Sequence, residues 1–201
     1  TDRLTNFGYK SNKTGFSVGS GFEFYDDLYW NTGVSSYVEK LETDNTASAS
    51  MKKQEGSYFD TLFNHTLSYD KRNQRYKTSD GYISRFTQNI PLISESYTLI
   101  NSYDYKIYNE WLNENVFSIG FFGKTSNSLS GKNVKLSDRL YLPASKLRGF
   151  ETGKVGPKDG ADYIGGNYVA AMNIATNLSQ ILPNAQNTNF SIFFDAGNVW
   201  G

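Results

Sequence analysis

The 201-residue chain is long enough for one domain of ordinary size, and it balances 20 Lys plus Arg against 20 Asp plus Glu for a net charge of zero. That balance argues against nucleic acid as a main partner, because such domains carry a basic surplus. The absence of Cys excludes disulfides and thiolate metal sites, and the single His, His65, excludes a His-rich metal site.

In chain order, period-two alternation predicts eight strands, at 14–25, 28–41, 57–70, 81–91, 96–109, 115–126, 166–178 and 189–200. In the first, Phe16, Val18, Phe22 and Phe24 share one face, opposite Ser17, Gly19, Gly21 and Glu23. In the fifth, Tyr97, Leu99, Tyr103, Tyr105 and Ile107 oppose Thr98, Ser102, Asp104 and Lys106. In the seventh, Tyr168, Ala170, Met172, Ile174 and Leu178 oppose Ala171, Asn173, Ala175 and Asn177. The stretch 4–10 reads as a loop edge or a short extra strand. Each run is about 10 residues, the length of a tilted membrane-spanning strand. Aromatic residues reach 16%, with 15 Tyr and 14 Phe, at a mean hydropathy of −0.55. Many aromatics in a polar chain fit an antiparallel transmembrane β-barrel, with a lipid face, a wet lumen and interfacial aromatic girdles. A soluble β-sandwich shares the alternation; the aromatics and the strand lengths favour the membrane. No apolar run approaches the roughly 20 residues of a membrane helix.

The connections alternate in length. Asp26-Asp27, 77–81 and 113–115 are short and polar, whereas 43–56 and 126–165 are long and fall on the same side by strand count, as external loops of a barrel do. A loop as long as 126–165 is expected to be functional. It carries Leu147-Arg148-Gly149-Phe150. The last strand, Phe190-Ser191-Ile192-Phe193-Phe194-Asp195-Ala196-Gly197, holds one acid, which alternation points away from Phe194 and into the lumen. An unpaired buried charge is costly, so Asp195 needs a partner, and Arg148 reaches it if the loop folds back inside the barrel.

Four segments in order, Leu147-Arg148-Gly149-Phe150, Gly156-Pro157-Lys158-Asp159-Gly160, Ile164-Gly165-Gly166-Asn167 and Phe194-Asp195-Ala196-Gly197-Asn198-Val199-Trp200, carry a family resemblance. The chain resembles the BamA family of outer-membrane protein assembly barrels, within the bacterial surface antigen superfamily, and looks most like its α-proteobacterial members. The resemblance implies that residues 1–201 form part of a sixteen-strand barrel domain, from the external loop after strand five through strand thirteen. POTRA domains and the terminal strands that form the lateral seam are expected to lie outside it. It further implies that the loop folds into the lumen and that Arg148 is latched by Asp195. Gly149 would then permit a turn or a close backbone approach, Phe150 would wedge against the wall, and Gly165, Gly166 and Asn167 would form the return to the wall. A second wall acid of the family falls, by counting from Asn167, at Ala175, leaving Asn173 or Asn177 to hydrogen-bond the guanidinium, or Asp195 to hold Arg148 alone.

The function so implied is insertion of β-barrel proteins into the bacterial outer membrane. The implied partners are unfolded outer-membrane client proteins, assembly lipoproteins, and outer-membrane lipids with lipopolysaccharide. No cofactor is expected. Two rivals remain: a two-partner-secretion transporter, which shares the Arg-Gly-aromatic loop, and a passive porin. Catalysis is not expected, because His65 shares the Phe63 and Leu67 face and leaves a Ser nucleophile without a base. Gly153-Lys154-Val155-Gly156 lacks the ending of a phosphate loop. Lys52-Lys53 and Lys71-Arg72 read as solvated charges that lipopolysaccharide phosphates could use.

Overall fold

A computed structural model describes residues 8–111, 115–178 and 190–201. Its main element is one eight-stranded antiparallel sheet in the order β1-β2-β3-β4-β5-β6-β9-β10. The strands are β1 (Tyr9–Tyr25), β2 (Leu28–Thr43), β3 (Gly56–Asp70), β4 (Gly81–Ser94), β5 (Thr98–Trp111), β6 (Asn115–Ser128), β9 (Tyr168–Asn177) and β10 (Ser191–Trp200). A short helix, α1 (Ala49–Lys52), interrupts the β2–β3 loop. A turn of 3-10 helix (Leu136–Asp138) and a small hairpin, β7 (Lys158–Asp159) with β8 (Asp162–Tyr163), lie within the β6–β9 loop.

The alternation read from the sequence is the alternation of the wall. Phe16, Val18, Phe22 and Phe24 on β1, Ile192 and Phe194 on β10, and Phe121 on β6 are exposed on one face. Phe22 pairs with Trp30 across β1–β2, their rings meeting edge to face at 5.7 Å, as cross-strand pairs that hold register do. The other face is small, polar or covered by the long loop. The eight predicted strands are all present, with ends displaced by a few residues. The largest displacement is in β1, which begins at Tyr9 because Tyr9 to Lys13 pair with Thr43 to Glu39. That extension lacks the amphipathic pattern, since Tyr9 and Ser11 are buried under the loop and not against lipid. The proposed short strand at 4–10 is thus partly absorbed into β1, with residues 4–7 outside the described ones. So are residue 189 of the last predicted strand and Asn113 and Glu114 of the predicted turn.

The β2–β3 and β6–β9 loops emerge at the same end of the sheet, and the two touch. The Ser48 amide donates to Asp162 at 3.2 Å, and the Ser50 hydroxyl donates to Asp159. Lys71 and Arg72 lie at the opposite end, engaged by Asp27 and Asp70, so they do not share the outer side with the long loops.

Candidate functional site

The long loop returns over the lumenal face because it carries apolar side chains that match that face. Leu140, Leu142 and Leu147 are buried with Val169 and Ala171 of β9 and Val199 of β10. A bridge between Leu140 and Gly166 closes the return. Gly166 is needed there for space: a Cβ would stand 2.5 Å from the Trp200 carbonyl oxygen. Gly165 sits at φ +67 with the Leu140 oxygen 2.8 Å from a built Cβ. Asn167 donates its amide to Trp200 at 2.9 Å and accepts from the Ser126 amide at 2.8 Å, splicing the loop into β9. Gly166→Ala is therefore expected to pry open the outer end of β9–β10 and cost about 1–3 kcal/mol, the usual penalty of overpacking. A urea titration of the full-length protein would show it as a lowered midpoint.

Burial of Leu147 places Arg148 against β10. Arg148 Nε donates to Asp195 Oδ2 at 2.7 Å and Nη2 to Oδ1 at 2.6 Å, while the Arg148 amide also donates to Oδ2 at 2.9 Å. The guanidinium lies over the Phe193 ring, 3.7 Å from its centroid. The two parallel bonds use the planar fork of Arg, which Lys lacks. Asn173, opposite Asp195 in register, donates Nδ2 to Asp195 Oδ1 at 2.8 Å and also to the Lys146 carbonyl at 2.8 Å. Asp195 is thus saturated with donors and its side chain is 3% exposed, against 35% for Arg148.

Other predicted positions fall differently. Asn173, one of the two asparagines expected at the guanidinium, joins the latch through the Asp195 carboxylate, because direct register across β9–β10 pairs Asn173 with Asp195 and Ala175, the counted position of the second acid, with Phe193. Asn177 accepts from the Val116 amide at the far end of β6 and takes no part in the latch. Phe150 does not wedge against the wall: it is 57% exposed, and Phe193 is the ring beside the pair. Gly149 has φ +85 with open space around it, so it serves a turn and not a close approach. His65 lies on the exposed apolar face, as expected, between the rings of Phe63 and Phe86.

A second set of contacts was not anticipated. Lys135, in the same loop, donates Nζ to Glu39 of β2 at 2.7 Å and to Asp60 of β3 at 2.8 Å, with Asp138 at 3.8 Å. The side chains of Lys135, Glu39 and Asp60 are 2%, 0% and 3% exposed. Ser137 donates to Glu39 at 2.9 Å, Ser11 donates to Glu39, and Ser94 donates to Asp60. Tyr9, Leu41, Met51 and Leu136 form an apolar lid around the cluster. Lys146 makes a third contact, with Asp104 of β5. The loop is therefore fixed by cations to β2, β3, β5 and β10.

Burial pulls the Lys135 ammonium down, but its carboxylate neighbours outweigh that, and it stays above the usual lysine range. Asp138 is displaced upward, chiefly by burial. A carboxyl raised on folding holds a proton that the unfolded chain releases, so its contribution to stability fades as pH climbs through the folded pKa. Asp138→Asn is expected to be more stable than the parent at neutral pH, with the difference vanishing as the medium is acidified to the ordinary carboxylate range. Unfolding midpoints measured across that range check the sign.

The sequence profile of the Omp85 superfamily domain matches residues 1–201. Comparison with curated proteins gives no significant match. Among solved structures, 69 chains match. One of them, the crystal structure of BamA from Haemophilus ducreyi lacking POTRA domains 1–3, aligns over 96% of this chain at a TM-score of 0.84 and 19% sequence identity. The chain spans 42% of that structure's length.

Proposed function

The chain belongs to the Omp85 superfamily as an outer-membrane β-barrel protein, and from that premise we propose that it is part of the insertase that folds and inserts β-barrel proteins into the bacterial outer membrane. The observation that carries the reading is the long loop drawn into the lumen, with Arg148 forked onto Asp195, on a wall that aligns with a BamA barrel. The work is strand pairing: an exposed strand edge offers backbone donors and acceptors that template an incoming client strand. In this reading the wall β1–β10 lies away from the lateral seam, and the loop braces it from within. Unfolded client barrels, assembly lipoproteins and the lipids of the outer membrane, lipopolysaccharide included, are the partners.

The test is assembly in vitro. Full-length protein in lipid vesicles, supplied with accessory lipoproteins and an unfolded client barrel, is expected to speed the appearance of protease-resistant, heat-modifiable client over vesicles alone. Failure to do so, together with export of one passenger protein across the same vesicles, would replace the insertase by a two-partner-secretion transporter.

A further inference from the structure

A cavity of about 1000 Å³ opens at the outer end of the sheet, between the β2–β3 and β6–β9 loops. Three cations line it: Lys53 at the end of α1, and Lys132 and Arg139 from the long loop. Among the described residues, none of the three pairs with a carboxylate. Lys52, the neighbour of Lys53, is by contrast engaged by the Asn45 carbonyl at 2.7 Å. Arg139 Nε is also buried without a hydrogen-bond partner. A guanidinium cannot shed its charge, and a buried donor without an acceptor loses its hydration uncompensated. The cavity therefore lacks an anion that its own walls do not supply.

The other charged groups of the cavity are already engaged. Asp159 accepts from the Ser50 hydroxyl, and Glu95 accepts from the Phe59 amide at 3.4 Å. Lys135 is held by Glu39 and Asp60. The rest of the lining is of two kinds. Met51, Leu136 and Ile164 are apolar, and with Tyr58 they offer a non-polar surface. Asn133 and Gln54 are neutral and polar. The Gln54 carbonyl oxygen accepts from the Leu136 amide at 2.7 Å, which leaves its side-chain N–H groups to donate. Cations beside amides and an apolar surface suit a phosphorylated sugar: charge-assisted bonds to the phosphate, amides to the hydroxyls, and an apolar wall along the ring. The size agrees. About 1000 Å³ stands at the upper end of the range that ligand pockets span, and a bare phosphate would leave most of it empty.

We propose that this cavity binds a phosphate monoester carried on a saccharide, with Arg139 and Lys132 on the phosphate and Lys53 at the rim. The occupant is a saccharide and not an acidic protein face, because the cations line a recess between loops, which a flat surface does not enter. Two sources carry that chemistry on the outer side of the membrane: a phosphorylated glycolipid headgroup and a soluble sugar phosphate. Occupancy ties α1 to the long loop, adding an anionic bridge to the contacts of Ser48 with Asp162 and Ser50 with Asp159. The inference rests on the outer-membrane placement of the barrel and is independent of the insertase reading.

The test is phosphorus NMR of glucose 6-phosphate with full-length protein in dodecyl maltoside, a detergent without phosphate. Saturable line broadening is expected, and glucose or inorganic phosphate should reverse it only at much higher concentration. Arg139→Gln and Lys132→Gln are each expected to weaken binding about tenfold, the loss of one charge-assisted contact. Lys132 is exposed, so its replacement leaves the fold intact, and heat-modifiable migration checks both variants. Lys71→Gln, at the opposite end of the sheet, should change nothing. Competition then separates the sources. Rough lipopolysaccharide that displaces the sugar phosphate, while its dephosphorylated form does not, identifies the glycolipid headgroup; failure of both to displace it identifies the soluble ester. Absence of broadening overturns the proposal. So does inorganic phosphate that competes as well as the sugar phosphate binds, equal displacement by both lipopolysaccharides, or affinity unchanged in both variants.

Discussion

Arg148→Ala and Asp195→Ala are each expected to destabilise the full-length barrel by about 2–4 kcal/mol, and by similar amounts. Breaking a fully buried pair costs about 3–5 kcal/mol, and the partial exposure of the Arg148 side chain, 35%, places this pair toward the lower end. Loss of Arg148 leaves Asp195 with the Asn173 amide and one backbone N–H. Loss of Asp195 leaves the guanidinium on Phe193 with no anion. Because the two losses remove one shared interaction, the double variant should fall short of the sum by roughly 1–3 kcal/mol. Arg148→Lys should recover only part of the stability, since an ammonium neither forks nor stacks as a plane. Urea midpoints of the four proteins in a double-mutant cycle decide it, and strictly additive values would sink the pairing.

Lys135→Met should cost more, about 3–5 kcal/mol, because Glu39 and Asp60 stay buried with their central cation gone. Neutralising all three, Lys135→Met with Glu39→Gln and Asp60→Asn, should restore much of the loss, as buried ion clusters often yield to neutral groups of similar shape. The two anchors also predict different local events. With Arg148 replaced, residues 144–155 become cleavable from outside while the segment around Lys135 remains protected by its contacts to β2 and β3. With Lys135 replaced, the protection pattern inverts. Limited proteolysis of intact cells, read by mass, separates the two.

The sheet was legible because its lipid face obeys a strict rule. Phe16, Val18, Phe22 and Phe24 alternate with small or polar residues, and no soluble constraint interrupts them. Arg148 and Asp195 were legible for a related reason: an acid alone among aromatics in a strand requires a partner. Glu39 and Asp60, each on the lumenal side of its strand, require a partner for the same reason. That partner is not legible in the sequence because Lys135 follows no recognisable motif and the apolar lid of Tyr9, Leu41 and Met51 forms only on folding. Asn173 and Asn177 were left open as partners of the latch because counting along the chain from Asn167 cannot supply cross-strand register, which comes from the pairing of β9 with β10 and selects Asn173. The start of β1 was hidden for a comparable reason: its face is buried by a loop far away in sequence, and local hydropathy carries no trace of that cover.

The position of the two anchors has a kinetic meaning. The partners of Lys135, Glu39 and Asp60, precede the loop in the chain, while the partner of Arg148, Asp195, follows it. A barrel growing from its N-terminal side can close the lysine clamp before β9 and β10 exist as strands. One growing from its C-terminal side can close the arginine clamp first. Each direction of growth thus has its own half-tethered intermediate, and whichever clamp protects its segment earliest in a refolding time course reveals the order in which the wall is laid down.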